Sequence, residues 1–233
     1  MDYRIISIGA LARHELWTKA APAPIHEHAT TTLVRSGDRV ILVDPSLPPA
    51  MLLPRLCERA GLGPADITDV FLTSFHPAHR MGLKAFPNAN WWISERERET
   101  VGQTLVERFT REAEDAELQN MLRDDIALLK KIKNAPDKLA PKVDLFPLYG
   151  YSPGTCGLLL TFPRQTVLIA GDAVATSEHL ENGRMLRGAV DVTGAQESFQ
   201  EAVEIADILV PGHDNVILNP MRKQRGSNAF TLD

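Results

Sequence analysis

Three short apolar runs in this chain each end in a side chain able to bind a metal ion or carry a proton. The run Ile67 to Leu72 opens into Thr73-Ser74-Phe75-His76-Pro77-Ala78-His79-Arg80-Met81-Gly82, which holds two imidazoles three residues apart. Val167-Leu168-Ile169-Ala170 leads into Gly171-Asp172, and Ile208-Leu209-Val210-Pro211 leads into Gly212-His213. Runs of this length and composition read as buried strands. Strand ends are rigid and the loops after them are free to carry function. A sheet can therefore gather His76, His79, Asp172 and His213 at one edge, which is how distant residues reach one metal centre.

Two more segments extend the pattern. Val43-Asp44-Pro45-Ser46 is an aspartate turn at another strand end, and Tyr149-Gly150-Tyr151-Ser152-Pro153-Gly154 is a loop ahead of the apolar run at Leu158. In this order the segments resemble the metallo-β-lactamase superfamily. That family carries T-H-x-H-x-D-H followed by a glycine, then P-G-H-T-x-G, a G-D pair at a strand end and a late G-H pair. The resemblance runs from about Thr30 to Val216. It implies an α/β fold, the four-layer αββα sandwich, and a metal site in which the Asp44 position supports the histidine loop from behind.

Residue by residue, the resemblance implies a reduced ligand set. The family's first metal position uses three histidines, matched here by Ser74, His76 and Tyr151. Its second uses an aspartate and two histidines, matched by Ala78, His79 and His213, and Asp172 matches the bridging carboxylate. Ser74, Ala78 and Tyr151 thus stand where the family has ligands. A serine hydroxyl is a poor donor, and a tyrosine must lose a proton of pKa about 10 to ligate well. His79, Asp172 and His213 remain, two imidazoles and a carboxylate. That is the ligand count of a zinc site with one place for water, and of the triad that suits iron(II). The expectation is one divalent ion, zinc before iron or manganese, or none. Arg80 reads as an ordinary solvated arginine, with balancing Asp172 or binding substrate as the alternative. His26 and His28, in a segment from Trp17 to His28 rich in Ala and Pro, are either substitute ligands or exposed histidines.

Composition narrows the partners. A formal charge of -5 without a basic cluster argues against nucleic acid and anionic membranes. No apolar run approaches membrane-spanning length. The start runs directly into the strand-like Ile5 to Ile8, so no signal peptide is expected. Cys57 and Cys156 form neither C-x-x-C nor a disulfide framework, which fits a reducing cytoplasm. Both are expected to be small buried side chains, Cys57 on the apolar face of a helix.

The expected organisation is one domain over residues 1–220, with a tail at 221–233. Strands are expected at Tyr3 to Gly9, Thr30 to Arg35, Val40 to Asp44, Asn90 to Ile93, Leu158 to Phe162 and Val167 to Ala170. A helix spans Pro48 to Arg59, and another follows a capping box from Thr193 to Gln196. Residues 94–134 read as a helical insertion opened by a Ser94–Glu97 capping box, with Leu105, Phe109, Leu118 and Leu128 on one face. Such an insertion packs on a sheet, caps the site or joins a homodimer.

Two functional classes stay open at this stage. One is a hydrolase acting on a small molecule with a single ion at His79, Asp172 and His213, where Asp172 and Tyr151 serve catalysis and Tyr151 donates a hydrogen bond to a developing oxyanion. The other is an inactive binding or scaffold protein without metal. Metal content separates them.

Overall fold

Successive side chains of a strand face opposite ways, and the central strands here are apolar on both sides. The computed structural model describes residues 1–13, 16 and 26–222. Its first sheet contains, in spatial order, β1 (Asp2–Ser7), β2 (Thr31–Ser36), β3 (Arg39–Val43), β4 (Asp69–Leu72), β5 (Asn90–Ile93) and β6 (Lys133–Asn134). The second contains β7 (Lys138–Ala140), β8 (Val143–Pro147), β9 (Cys156–Thr161), β10 (Thr166–Gly171), β11 (Ile208–Pro211) and β12 (Ile217–Leu218), also in sequence order across the sheet.

Alternation sorts the core into layers. Ile41, Val43, Phe71, Val167, Ile169 and Val210 meet between the two sheets. Their neighbours Leu42, Val70 and Leu72 point the other way, onto helices α1 (Pro49–Ala60), α3 (Glu95–Arg111) and α4 (Ala116–Leu129). Leu168, Ala170 and Leu209 point outward from the second sheet onto α6 (Val192–Ile205). Short helices α2 (Pro77–Arg80) and α5 (Ser177–Glu181) lie in the loops after β4 and β10. The result is the four-layer αββα sandwich. No helix among the described residues is long and apolar enough to cross a membrane.

The expected strands form within a residue or two of their bounds, and Gly61 closes α1 in the left-handed conformation. Residues 94–134 divide into α3 and α4, with Leu105, Leu122, Leu128 and Leu129 packed onto the first sheet. The helical reading fails at its end, where Lys133 and Asn134 pair in parallel with β5. A two-residue strand has too few positions to show a period, so its edge pairing is invisible locally. Two other expectations need correction. Helix α6 is capped by Asp191, whose side chain accepts from Gly194 N, so Thr193 lies inside the first turn and is not the cap. Cys57 is exposed although its helix neighbours Leu52 and Leu56 are buried. It lies beyond the edge of the stripe those leucines define. The tail from residue 223 lies outside the described residues, and Arg222 is anchored, donating to Ile205 O at 2.9 Å.

Cys156 is buried between the sheets, and burial pushes its thiol pKa up to about 12. A thiol must be both accessible and ionised to react. The folded protein is expected to show one fast-reacting thiol with Ellman's reagent, abolished by Cys57→Ser, and a second only after unfolding in urea.

Candidate functional site

The site forms where ends of both sheets meet. Strands β10 and β11 are adjacent and parallel, with Gly171 opposite Pro211, so Asp172 and His213 leave neighbouring strands at the same level. Gly171 takes a positive φ of 54°, and a side chain there would crowd Thr73. Only glycine makes that turn without steric cost. From the first sheet, β4 runs into the loop that places His79 on α2. Cys156 N donates to Thr73 O at 3.0 Å and ties the two sheets together beside this loop.

The three residues converge. His79 Nε2 lies 3.0 Å from Asp172 Oδ2, and His213 Nε2 lies 2.9 Å from Asp172 Oδ1. All three side chains are buried. The other nitrogen of each ring is held from behind. His79 Nδ1 lies 3.1 Å from both Thr73 Oγ1 and Asp44 Oδ2, and His213 Nδ1 donates to His28 O at 3.0 Å. Asp44 also accepts from Thr73 N at 2.9 Å and Thr73 Oγ1 at 2.7 Å, so it fixes the loop as well as the ring. An acceptor behind Nδ1 turns Nε2 toward a shared centre, the arrangement that orients metal-binding histidines.

Charge follows from this geometry. Burial disfavours a charged His79, but Asp172 and Asp44 outweigh it and hold the imidazole pKa well above its usual value. Burial likewise disfavours the Asp172 carboxylate, yet His79 and His213 hold it far below the ordinary range. Burial raises the Tyr151 pKa, and Asp172 and Glu27 raise it further, so the phenol keeps its proton.

The remaining candidates are placed differently. His76 is exposed at the rim, its ring centroid 6.3 Å from that of His79, and burial of its inner side lowers its pKa. It stands outside the compact group of three. Ser74 and Ala78 are buried, and Tyr151 packs beside Leu11, Ala175 and Leu186. Arg80 requires a correction. Its guanidinium donates to Asp125 at 2.9 Å and to Phe75 O at 2.8 Å and lies over the Phe75 ring, directed at α4. The partners of Asp172 are the two imidazoles instead. His28 is no substitute ligand either, since its ring bonds to the carbonyls of His26 and Ile8. His26 is exposed, and the rest of the segment expected from Trp17 onward lies, to residue 25, outside the described residues.

Sequence reasoning missed Glu97 and Glu27. Glu97 was legible only as the third residue of a capping box, yet its side chain does not turn back to the cap. Ser94 Oγ accepts from Glu97 N at 3.2 Å, while the buried Glu97 carboxylate accepts from Phe75 N at 2.9 Å, Gly154 N at 2.9 Å and Ser152 Oγ at 2.7 Å. It therefore clamps the histidine loop to the loop that carries Tyr151. Glu27 has no motif around it. Its Oε1 reaches within 3.8 Å of His213 Nε2.

Residues 26–213 match the family model for the metallo-beta-lactamase superfamily. The chain belongs to that superfamily. No protein of curated function matches it. Among solved structures of the superfamily's fold, it is similar to a Thermotoga maritima protein classed provisionally as a metallo-beta-lactamase, at 21% identity and TM-score 0.67, covering 93% of this chain and 98% of that one. It is similar to AiiA from B. thuringiensis, solved with N-decanoyl-L-homoserine bound, at 19% identity and TM-score 0.63, covering 96% of this chain and 94% of that one. A third is AidC, described as a dizinc quorum-quenching lactonase, at 21% identity and TM-score 0.61, covering 76% of this chain and 67% of that one. At these identities the likeness establishes the shared superfamily fold.

Removing the Glu97 carboxylate would leave buried donors without an acceptor, at about 1–3 kcal/mol each. Glu97→Ala is expected to lower unfolding free energy by at least about 2 kcal/mol in urea titrations. A loss within about 0.5 kcal/mol would show that water replaces the clamp.

Proposed function

We propose that this chain is a metal-dependent hydrolase holding one divalent ion, zinc before iron or manganese, between His79, Asp172 and His213. The observation that carries this reading is the paired orientation of the imidazoles, both anchored at Nδ1 and both turning Nε2 inward to one carboxylate. The donor set fits an ion. Zinc bonds of about 2.0–2.1 Å place tetrahedral ligand atoms about 3.3 Å apart, and the three ligand atoms here lie within 4.8 Å of one another. When bound, the ion would supply Lewis acidity and a water acidified towards a pKa of about 7.

The chain's own residues divide the remaining work. Asp44 and the His28 carbonyl hold the imidazoles in the tautomer that leaves Nε2 free. Tyr151, protonated and half-buried beside the site, donates to the oxygen on which negative charge develops. Leu11, Tyr151 and Leu186 line a cavity of about 410 Å³ that also holds Arg13, Glu27 and Arg187. Apolar walls with arginines in the same cavity suit a small molecule with an acyl portion and a polar head. The lactonases among the structural neighbours make a lactone or related ester the substrate class to test first.

The metal-free binding protein keeps specific support. With His79 protonated between Asp172 and Asp44, both oxygens of Asp172 are satisfied without an ion. Metal content distinguishes the readings. Elemental analysis after mild dialysis is expected to give about one ion per chain. His213→Ala should abolish retention and His76→Ala should reduce it less, with loss of lactone hydrolysis following loss of metal. A purified wild type that takes up no zinc, iron or manganese would favour the binding protein.

A pH profile supplies an independent check. A histidine whose pKa rises on folding adds stability below its unfolded pKa of about 6.5 and loses it as pH rises through the folded value. The metal-free protein is therefore expected to lose stability above about pH 6.5, seen as falling urea midpoints. An ion needs the Nε2 lone pair, so it displaces a proton, and zinc affinity should rise through the same window. Calorimetry in buffers of different ionisation enthalpy would detect the release.

A further inference from the structure

The segment that closes the site from the N-terminal side carries an acid outside every family ligand position. Ala29 N donates to Ala78 O at 2.9 Å, Thr30 N donates to Gly212 O at 2.6 Å, and His28 O accepts from His213 Nδ1. These bonds lace the backbone beside Glu27 to the ends of both α2 and β11. Glu27 Oε1 then lies 3.8 Å from His213 Nε2, with 32% of the side chain exposed. The carboxylate is also close enough for its charge to act on His76 and Tyr151. It therefore lies on the side of the cluster that His76, His213 and Tyr151 share.

Charge points to a cation. With neutral imidazoles, Asp172, Asp44 and Glu27 bring three negative charges to the group of His76, His79 and His213, a surplus that a divalent ion offsets. The structure assigns Glu27, we infer, as a fourth protein ligand to the ion at His79, Asp172 and His213, an inference that rests on reading that site as a metal centre. Glu27 lies outside the group whose ligand atoms share a 4.8 Å spacing. Its partial exposure gives the side chain the rotamer freedom to close the gap. Four protein ligands fill a tetrahedral site, so entry of water or substrate then depends on Glu27 releasing.

Titration of the full-length metal-free protein with Zn²⁺ by calorimetry, and with Co²⁺ by visible absorption, tests this assignment. The wild type is expected to bind one Zn²⁺. Glu27→Gln, folded by circular dichroism, should bind one Zn²⁺ at least about tenfold more weakly and show a changed Co²⁺ ligand-field spectrum. Glu27→Ala should do the same, which guards against misfolding of one variant. An unchanged spectrum in both variants overturns the assignment even if affinity falls, because loss of charge alone weakens binding without altering coordination. Wild-type affinity in both variants also overturns it, with the three-ligand centre intact. A wild type that binds no Zn²⁺ overturns the underlying reading. A wild-type stoichiometry of two that falls to one in the variants overturns the single-ion arrangement and gives Glu27 to a separate position.

Discussion

Asp172 is a carboxylate with almost no access to water, and an unpaired charge in that position is costly. The surrounding structure exists in large part to compensate it. Two imidazoles approach it, one from each sheet's strand ends. Behind one stands a second buried carboxylate, Asp44, and behind the other a backbone carbonyl. The cluster is consistent with an ion at its centre or with a proton on His79. Both states keep the charge paired, so the same frame suits either.

Backbone detail sets the accuracy of that frame. The turn at Gly171 lets β10 pass against Thr73, the residue that also bonds Asp44 and His79. Gly150 plays a comparable part in the Tyr151 loop, since a side chain there would overlap the Ala195 backbone at the start of α6. Glu97 then joins this loop to the histidine loop through three hydrogen bonds. A shift in any of these loops is transmitted to the imidazoles. Positioning by rigid elements with fixed supporting bonds is what gives a site its geometry.

Much of this could be read from the chain alone, for identifiable reasons. Strands such as Val167–Ala170 announce themselves by continuous apolar character, and the His and Asp residues at their ends follow directly. The four-layer architecture was implied by the resemblance of the motifs to the metallo-β-lactamase superfamily. Side-chain direction was not legible. Arg80 adjoins His79 in sequence yet turns to Asp125, because the first turn of a helix fans neighbouring side chains apart. Cys57 looked buried because a one-residue rotation about α1 separates the core face from solvent. Glu97 kept the spacing of a capping box, but its carboxylate found partners in loops far away in sequence. Glu27 lacked any local signal, since only tertiary lacing brings it to the site.

The bond between His28 and His213 joins residues 185 positions apart. During synthesis, then, the first imidazole loop emerges long before the second sheet supplies Asp172, and His213 arrives last. A growing chain at that stage holds His79 but neither Asp172 nor His213, so the cluster cannot close until the second sheet exists. Closure over so long a separation is entropically slow. The polar centre thus needs both sheets in place, and the apolar contacts between them are what hold it closed.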